Sequence, residues 1–211
     1  MGMSEYNLAL PRSKAGLKRL FDIACSALGL LLFWWLILLA ALLARIDTGL
    51  NGFFTQQRVG RDGRMFKVIK IRTMKPVDNM VTTVTTDHDA RITTIGRFFR
   101  KTKIDELPQL INVLLGDMSF VGPRPDVPGF ADQLVGEGRS VLSIRPGITG
   151  PATLRYRDEE KLLASVDDPE RYNREVIFPE KVRINLEYIR NYSLTNDLKY
   201  IVKTIIGNKS C

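Results

Sequence analysis

Two cysteines and one histidine are all the thiol and imidazole metal ligands that this 211-residue chain carries. Cys25 lies inside an apolar run and Cys211 is the last residue, so no disulfide framework and no paired zinc-ligand spacing can be drawn. Such usage suits a reducing compartment. His88, in "DHD", sits in an acidic Thr-rich loop, where a lone imidazole reads as a solvated side chain rather than a ligand. No Walker loop, "GxGxxG" or "GxSxG" occurs, which removes the familiar NTPase, dinucleotide and serine-hydrolase sites. Internal repeats and low-complexity tracts are also absent.

The length permits one domain with a sizeable core and an attachment to it. With 31 Lys+Arg against 23 Asp+Glu, the net charge of +8 favours anionic partners. Nucleic acid is set aside, because neither aromatic platforms nor a reading helix accompanies the basic residues.

The 22 residues "IACSALGLLLFWWLILLAALLA", Ile23 to Ala44, contain no ionisable group except the Cys25 thiol. As a helix they would extend ~33 Å, about one hydrocarbon thickness. The run is too long for the core of a signal peptide, and no small-residue cleavage site follows it. Cations flank both ends, Arg12, Lys14, Lys18 and Arg19 before and Arg45, Arg58, Arg61 and Arg64 after, so the positive-inside rule casts no vote on orientation. The expected division is a polar leader over 1–16, a membrane-inserted helix over 17–46, re-entrant or spanning, and a single domain over 47–211.

Beyond the run, "FFTQQRVGRDGRMFKVIKIRTM" reads as a hairpin about "GRDG", with Lys67, Lys70 and Arg72 interleaved among apolar residues. "KPVDNMVTTVTTDHDARIT" reads as a loop. Apolar residues at helical spacing run from Ile95 to Leu115, broken near "KTKIDELP". Pro108 tolerates only the first turn of a helix, so the second helix starts close to Asp105 and buries Leu107, Leu110, Ile111 and Leu114. The last third is polar and helical. In its final segment Leu194, Leu198, Ile201, Val202, Ile205 and Ile206 share a face, which suits packing on the core or lying on a membrane surface. Short strands, amphipathic helices and no βαβ alternation give a mixed, helix-dominated α+β fold with a small β-hairpin or sheet.

The acidic pair Asp105–Glu106 in "KTKIDELPQL" has a plain reading, a helix cap with a second carboxylate meeting the helix dipole. Its surroundings give another. A carboxylate with an ordinary pKa near ~4 is ionised at neutral pH and can attack phosphorus without a general base. A second carboxylate can share a Mg²⁺ ion, and arginines fixed in the Pro/Gly-rich turns "FVGPRPDVPG" and "IRPGITGP", Arg124 and Arg145, can grip phosphate. Together these describe phosphoryl transfer.

"KRLFD" before the apolar run, the hairpin string, "RITTIGRFFRKTKIDELPQLINVLLGDMSFVGPRP" and "RPGITGP" resemble the bacterial sugar transferases. These are the monotopic polyprenyl-phosphate phosphoglycosyl transferases, here in their small form, and the likeness runs from about Leu17 to the C-terminus. The resemblance implies transfer of a sugar 1-phosphate from a UDP-sugar to polyprenyl (undecaprenyl) phosphate, giving polyprenyl-diphosphate sugar and UMP with Mg²⁺. That reaction is the first membrane step of O-antigen, capsule, exopolysaccharide or glycoprotein glycan assembly. It implies Asp105 as nucleophile of a ping-pong mechanism, Glu106 as its assistant, and the same two carboxylates as metal contacts. Arg124 and Arg145, with Arg72 of "RTM", are implied binders of phosphate or uridine diphosphate, and Asp197 matches an acidic position of the family. The implied place is the cytoplasmic face of a bacterial inner membrane, in contact with lipid, with a homodimer left open. This chain departs from the family pattern in having no proline between Ile23 and Ala44, and in continuing "PATLRYRDEE" after "PGITG", a change expected to bear on nucleotide or sugar selection.

The rival is a non-catalytic membrane-anchored adaptor that binds anionic lipid or protein, for which the acidic pair is only a cap. Asp105→Asn parts the two, since a cap survives that change nearly intact and a nucleophile does not.

Overall fold

A computed structural model of the chain describes residues 8–76 and 89–207. The loop containing His88 lies outside them for the most part, as does the histidine itself. The apolar run becomes the core of α1 (Arg12–Thr48), a 37-residue helix without a residue of non-helical conformation, about 55 Å long at the usual rise. It is long and apolar enough to cross a membrane. It begins before the expected boundary at residue 17. Pro11, whose missing N–H costs nothing at a helix start, precedes it, and Leu8 and Leu10 of the presumed loose leader pack against a cluster holding Val121, Tyr188 and Tyr192.

α1 is buried on one side in two groups, Lys18, Asp22 and Ser26, then Ile37, Ala40, Ala41 and Ala44, at helical spacing. Between the two groups Gly29 meets the Leu110 side chain. The opposite face, from Leu17 through Leu31, Trp34, Trp35, Leu38 and Leu42 to Ile46, is exposed and apolar.

The hairpin forms as expected from β1 (Phe53–Val59) and β2 (Met65–Ile71), antiparallel, with Phe53 opposite Ile71 and Val59 opposite Met65. It is pressed so closely on α1 that a Cβ at Gly52 would stand 1.8 Å from the Ala41 carbonyl oxygen, which only glycine avoids. α2 (Thr94–Thr102), capped by the Thr93 hydroxyl accepting from the Gly96 N–H, and α3 (Gln109–Leu115) follow. α3 buries Leu110 and Val113 together with Gln109 and Asn112, while Leu107, Ile111 and Leu114 are half-buried. The polar Asn112 faces inward because it completes the β2 edge: its amide donates to the Lys67 carbonyl at 2.8 Å and accepts from the Ile69 N–H at 3.0 Å.

β3 (Ser119–Val121) and β4 (Gly147–Thr149) pair in parallel and bring the two Pro/Gly-rich stretches side by side. This parallel pair was not visible in the sequence, since short 3₁₀ turns rather than an α-helix make the crossover. Gly147 is in such close contact with Gly122 that an added Cβ would lie 2.1 Å from the Gly122 nitrogen. Short helices α4 (Pro151–Arg155), α5 (Glu159–Ala164) and α6 (Pro169–Tyr172) lead through a π-turn, Asn173–Ile177, into α7 (Phe178–Arg190). The chain is helix-dominated α+β, as the sequence indicated.

In α8 (Leu194–Ile206) the inward side is Asp197, Tyr200, Ile201 and Thr204, while Leu198, Val202, Ile205 and Ile206 are exposed. Core packing therefore accounts for Ile201 but not for Leu198, Val202, Ile205 and Ile206 of its apolar face. Asp197 is fully buried, with Lys18 Nζ at 2.5 Å and the Tyr188 hydroxyl donating at 2.6 Å, and Asp22 accepts from the Ser119 hydroxyl and the Phe120 N–H, both at 3.1 Å. Removing one partner of such a pair strands a buried charge. Asp197→Asn is expected to cost about 3–5 kcal/mol in urea unfolding of detergent-held protein, and Lys18→Met with Asp197→Leu to recover most of that loss.

Candidate active site

Asp105 and Glu106 lie in a 3₁₀ turn, Ile104–Glu106, between α2 and α3. The turn exists because the chain reverses at Lys103, held at φ 60°, and because Pro108 delays α3 until Gln109. Both carboxylates are buried, at 6% and 9% exposure. Asp105 caps nothing: Lys103 holds the cap position, and Asp105 Oδ1 is buried with no hydrogen-bond partner. The helix-cap reading is thereby overturned; the helix expected to start close to Asp105 starts at Gln109.

Glu106 is the opposite case. Its Oε1 accepts from Arg124 Nη2 at 3.1 Å and from Lys70 Nζ at 3.4 Å. Burial alone would raise its pKa, but Arg124, Lys70 and Lys103 outweigh burial and hold it well below the ordinary carboxylate range. Arg124 is in turn held more firmly protonated by Glu106, and burial pushes Lys70 down. For Asp105 burial wins. Its carboxyl is raised to about 6, the Glu106 charge adding to the rise while Lys70, Lys103 and Arg100 oppose it. The expectation of an ordinary carboxyl near 4 is corrected accordingly.

Of the arginines named from the sequence, Arg124 alone contacts the pair. Arg145 sits at the far end of α3, its Nε donating to the Gly116 carbonyl at 2.7 Å, beside Arg19, whose guanidinium donates to the Val113 and Leu114 carbonyls. Burial and the charges of Arg19 and Arg61 lower the Arg145 pKa. Arg72 donates to the Asn51 carbonyl at 2.7 Å and stacks over Phe54. Asp197 belongs to the α1–α8 junction.

Sequence reasoning missed Lys70 as a site residue, although its place in "KVIKI", a cation between two isoleucines, marks one outlying charge of a packed strand. It also missed the groups beyond Arg124. Arg58, which burial and the Arg124 charge lower to about 10, donates to the Pro125 carbonyl at 3.1 Å. Burial lifts Asp126 to about 6 against the pull of Lys181, Arg58 and Arg124. Lys181 binds both oxygens of Glu159 at 2.7 Å and lies over the Tyr156 ring, so the divergent segment after "PGITG" reaches this neighbourhood.

A buried, unpartnered carboxylate oxygen next to a neutralised carboxylate, flanked by cations, is a site for an electrophile bearing negative charge. Comparison with known proteins agrees with that chemistry. The family model described as bacterial sugar transferase matches residues 13–208. The chain belongs to the bacterial sugar transferase family. Among its relatives in that family is the UDP-glucose:undecaprenyl-phosphate glucose-1-phosphate transferase of Escherichia coli (strain K12), 38% identical over 194 residues, which cover 90% of this chain and 39% of that protein. The similarly named transferase of Caulobacter vibrioides (strain ATCC 19089 / CIP 103742 / CB 15) is 35% identical over 93% of this chain and 71% of its own length. Exopolysaccharide production protein PSS of Rhizobium leguminosarum bv. phaseoli is 36% identical over 90% of this chain and 94% of its own. The chain thus spans well under half of the first relative and nearly all of the third.

Because the folded-state pKa of Asp105 lies above that of an unfolded chain, its charge costs stability above about pH 6 and costs nothing below about pH 4. Asp105→Asn is expected to raise the thermal midpoint of metal-free protein at pH 7.5, by the equivalent of about 2–3 kcal/mol, and to leave it unchanged at pH 4. Melting curves at the two pH values check this; a lower midpoint at pH 7.5 would restore a capping role.

Proposed function

We propose that this protein transfers a sugar 1-phosphate from a UDP-sugar to polyprenyl phosphate. The observation that carries the reading is the buried Asp105 carboxylate with its free oxygen, set beside a Glu106 already neutralised by Lys70 and Arg124. In the first half-reaction an Asp105 oxygen bonds to the sugar-bearing phosphorus as the bond to the UMP oxygen breaks, and UMP departs. In the second, a phosphate oxygen of polyprenyl phosphate attacks the same phosphorus, the Asp105–phosphorus bond breaks, and polyprenyl-diphosphate sugar leaves with the carboxylate restored. Arg124 and Lys70 hold Glu106 in place and keep its charge from repelling the donor.

The site also fits Mg²⁺. Among the described residues no three His, Cys, Asp or Glu side chains gather as a metal cage. Mg²⁺ commonly uses one or two carboxylates and completes its shell with water and substrate phosphates. Asp105 and Glu106 are the carboxylates that would hold it. The ion would supply charge neutralisation for the diphosphate.

The burial of α1 supports attachment from one side of a membrane. A helix buried against its own domain at Lys18–Ser26 and again at Ile37–Ala44 has both ends on the domain's side, and its Leu- and Trp-rich outer face, with the exposed face of α8, suits lipid. A cytosolic donor places that side in the cytoplasm of a bacterial cell.

Nanodisc-held protein incubated with Mg²⁺ and a panel of UDP-sugars, without polyprenyl phosphate, is expected to gain the mass of one sugar phosphate from its proper donor. Asp105→Asn and EDTA-treated samples are expected to gain none. A folded wild-type protein that gains no mass from any donor would favour the adaptor. For topology, single cysteines at Ser13 and Asn51, in a background with Cys25 and Cys211 replaced by Ser, are both expected to resist an impermeant maleimide in intact cells and to react in inside-out vesicles. Labelling of Ser13→Cys from outside would show a spanning helix.

A further inference from the structure

Two arginines meet at the end of α3 without an acid between them. The Arg19 guanidinium donates to the Val113 and Leu114 carbonyls at 2.6 and 2.8 Å, and Arg145 Nε donates to the Gly116 carbonyl at 2.7 Å. A Cβ added at Gly116 would lie 3.2 Å from Arg19 Nη2 and 3.9 Å from Arg145 Nε, so both guanidinium groups crowd one peptide. The turn that carries Arg61 packs against the 3₁₀ segment Gly136–Ser143 leading into Arg145, and the charges of Arg19 and Arg61 both act on Arg145. Neither Arg19 nor Arg145 makes an ion pair among the described residues. Asp22, the acid that acts on Arg145, already accepts from the Ser119 hydroxyl and the Phe120 N–H. Capping of α3 accounts for the bonds to carbonyls. It leaves both Nη groups of Arg145 without a partner among the described residues, and like charges side by side, which an anion would relieve.

The position identifies the anion. α1 changes from polar to apolar at this height: Arg12, Ser13 and Lys14 precede Leu17 and Leu20, which are exposed on either side of Arg19. Leu115, also exposed, lies between the carbonyls that the two arginines hold. Cations bordered by exposed leucines, at the margin of a helix whose outer face suits lipid, match a ligand charged at one end and hydrocarbon at the other. The carboxylate pair is out of reach, because the length of α3 puts about 10 Å between the two ends of that helix. A phosphate gripped here is therefore not the one that reacts at Asp105. We propose that Arg19, Arg145 and Arg61 bind the phosphate headgroup of an anionic phospholipid from the leaflet that α1 enters. This holds independently of the role of Asp105.

Detergent-held protein is titrated with phosphatidylglycerol, phosphatidylcholine, polyprenyl phosphate and inorganic phosphate, and bound lipid is counted by native mass spectrometry, with thermal melts as a check of folding. The wild type is expected to bind one phosphatidylglycerol about tenfold more tightly than phosphatidylcholine. Arg145→Gln is expected to abolish that preference. Arg61→Gln, at a surface side chain paired with its neighbour Asp62, is expected to lower it about fivefold and keeps the experiment decisive should Arg145→Gln fail to fold. Arg171→Gln removes the same charge from α6 and is expected to change the preference by less than about twofold. Equal binding of the two phospholipids by the wild type, a preference that survives substitution of Arg145 and Arg61, or one that Arg171→Gln lowers as much, would each overturn the proposal. Displacement of phosphatidylglycerol by an equal concentration of polyprenyl phosphate would make this an acceptor site, and displacement by inorganic phosphate a site for free anions; both results overturn it as well.

Discussion

Two carboxylates one residue apart cannot both stay charged inside a protein unless cations are carried to them. Much of this fold serves that constraint. β2 presents Lys70 to Glu106, and the turn after β3 presents Arg124 to the same oxygen. Asn112 fixes α3 to the edge of β2, which keeps the 3₁₀ turn and the strand in register. The compensation is uneven: Glu106 receives both cations in contact, whereas at Asp105 burial and a negative neighbour outweigh Lys70, Lys103 and Arg100. The electrostatic difference between the two carboxylates thus follows from which one the cations reach.

The parts of this arrangement that were legible from sequence are those set by local chemistry. The apolar run, the hairpin about "GRDG" and the break before Pro108 each follow from hydrophobic period, turn residues or proline geometry, and all three stand in the structure. Arg124 was legible for a related reason, because two prolines fix its backbone. What could not be read depends on contacts between distant segments. Arg145 shares the "RPG" chemistry of Arg124, yet the parallel pairing of β3 with β4 leads it to the opposite end of α3. Lys70 is 36 residues from Glu106, and no periodicity announces which lysine of a strand will meet a carboxylate.

The stripe of small residues on α1, Ala40, Ala41 and Ala44 with Gly29 and Ser26, lets the domain come close along the helix, while the bulky residues gather on the other side. The helix is therefore asymmetric in size as well as in polarity. Small residues here serve the same end as at helix interfaces within bilayers, where close approach replaces the hydrophobic drive that lipid cannot supply. The charged residues at its start, Lys18 and Asp22, are tolerated because the domain supplies partners for them.

The ion pair between Lys18 and Asp197 joins residues 179 apart in a chain of 211. Bacterial translation at ~5–20 residues per second puts roughly ten to forty seconds between the appearance of the two. For that interval the first helix is complete while Lys18 waits for the carboxylate that will neutralise it. The order of synthesis thus delivers the helix well before its lock, and the seam between helix and domain closes only once Asp197 has been made.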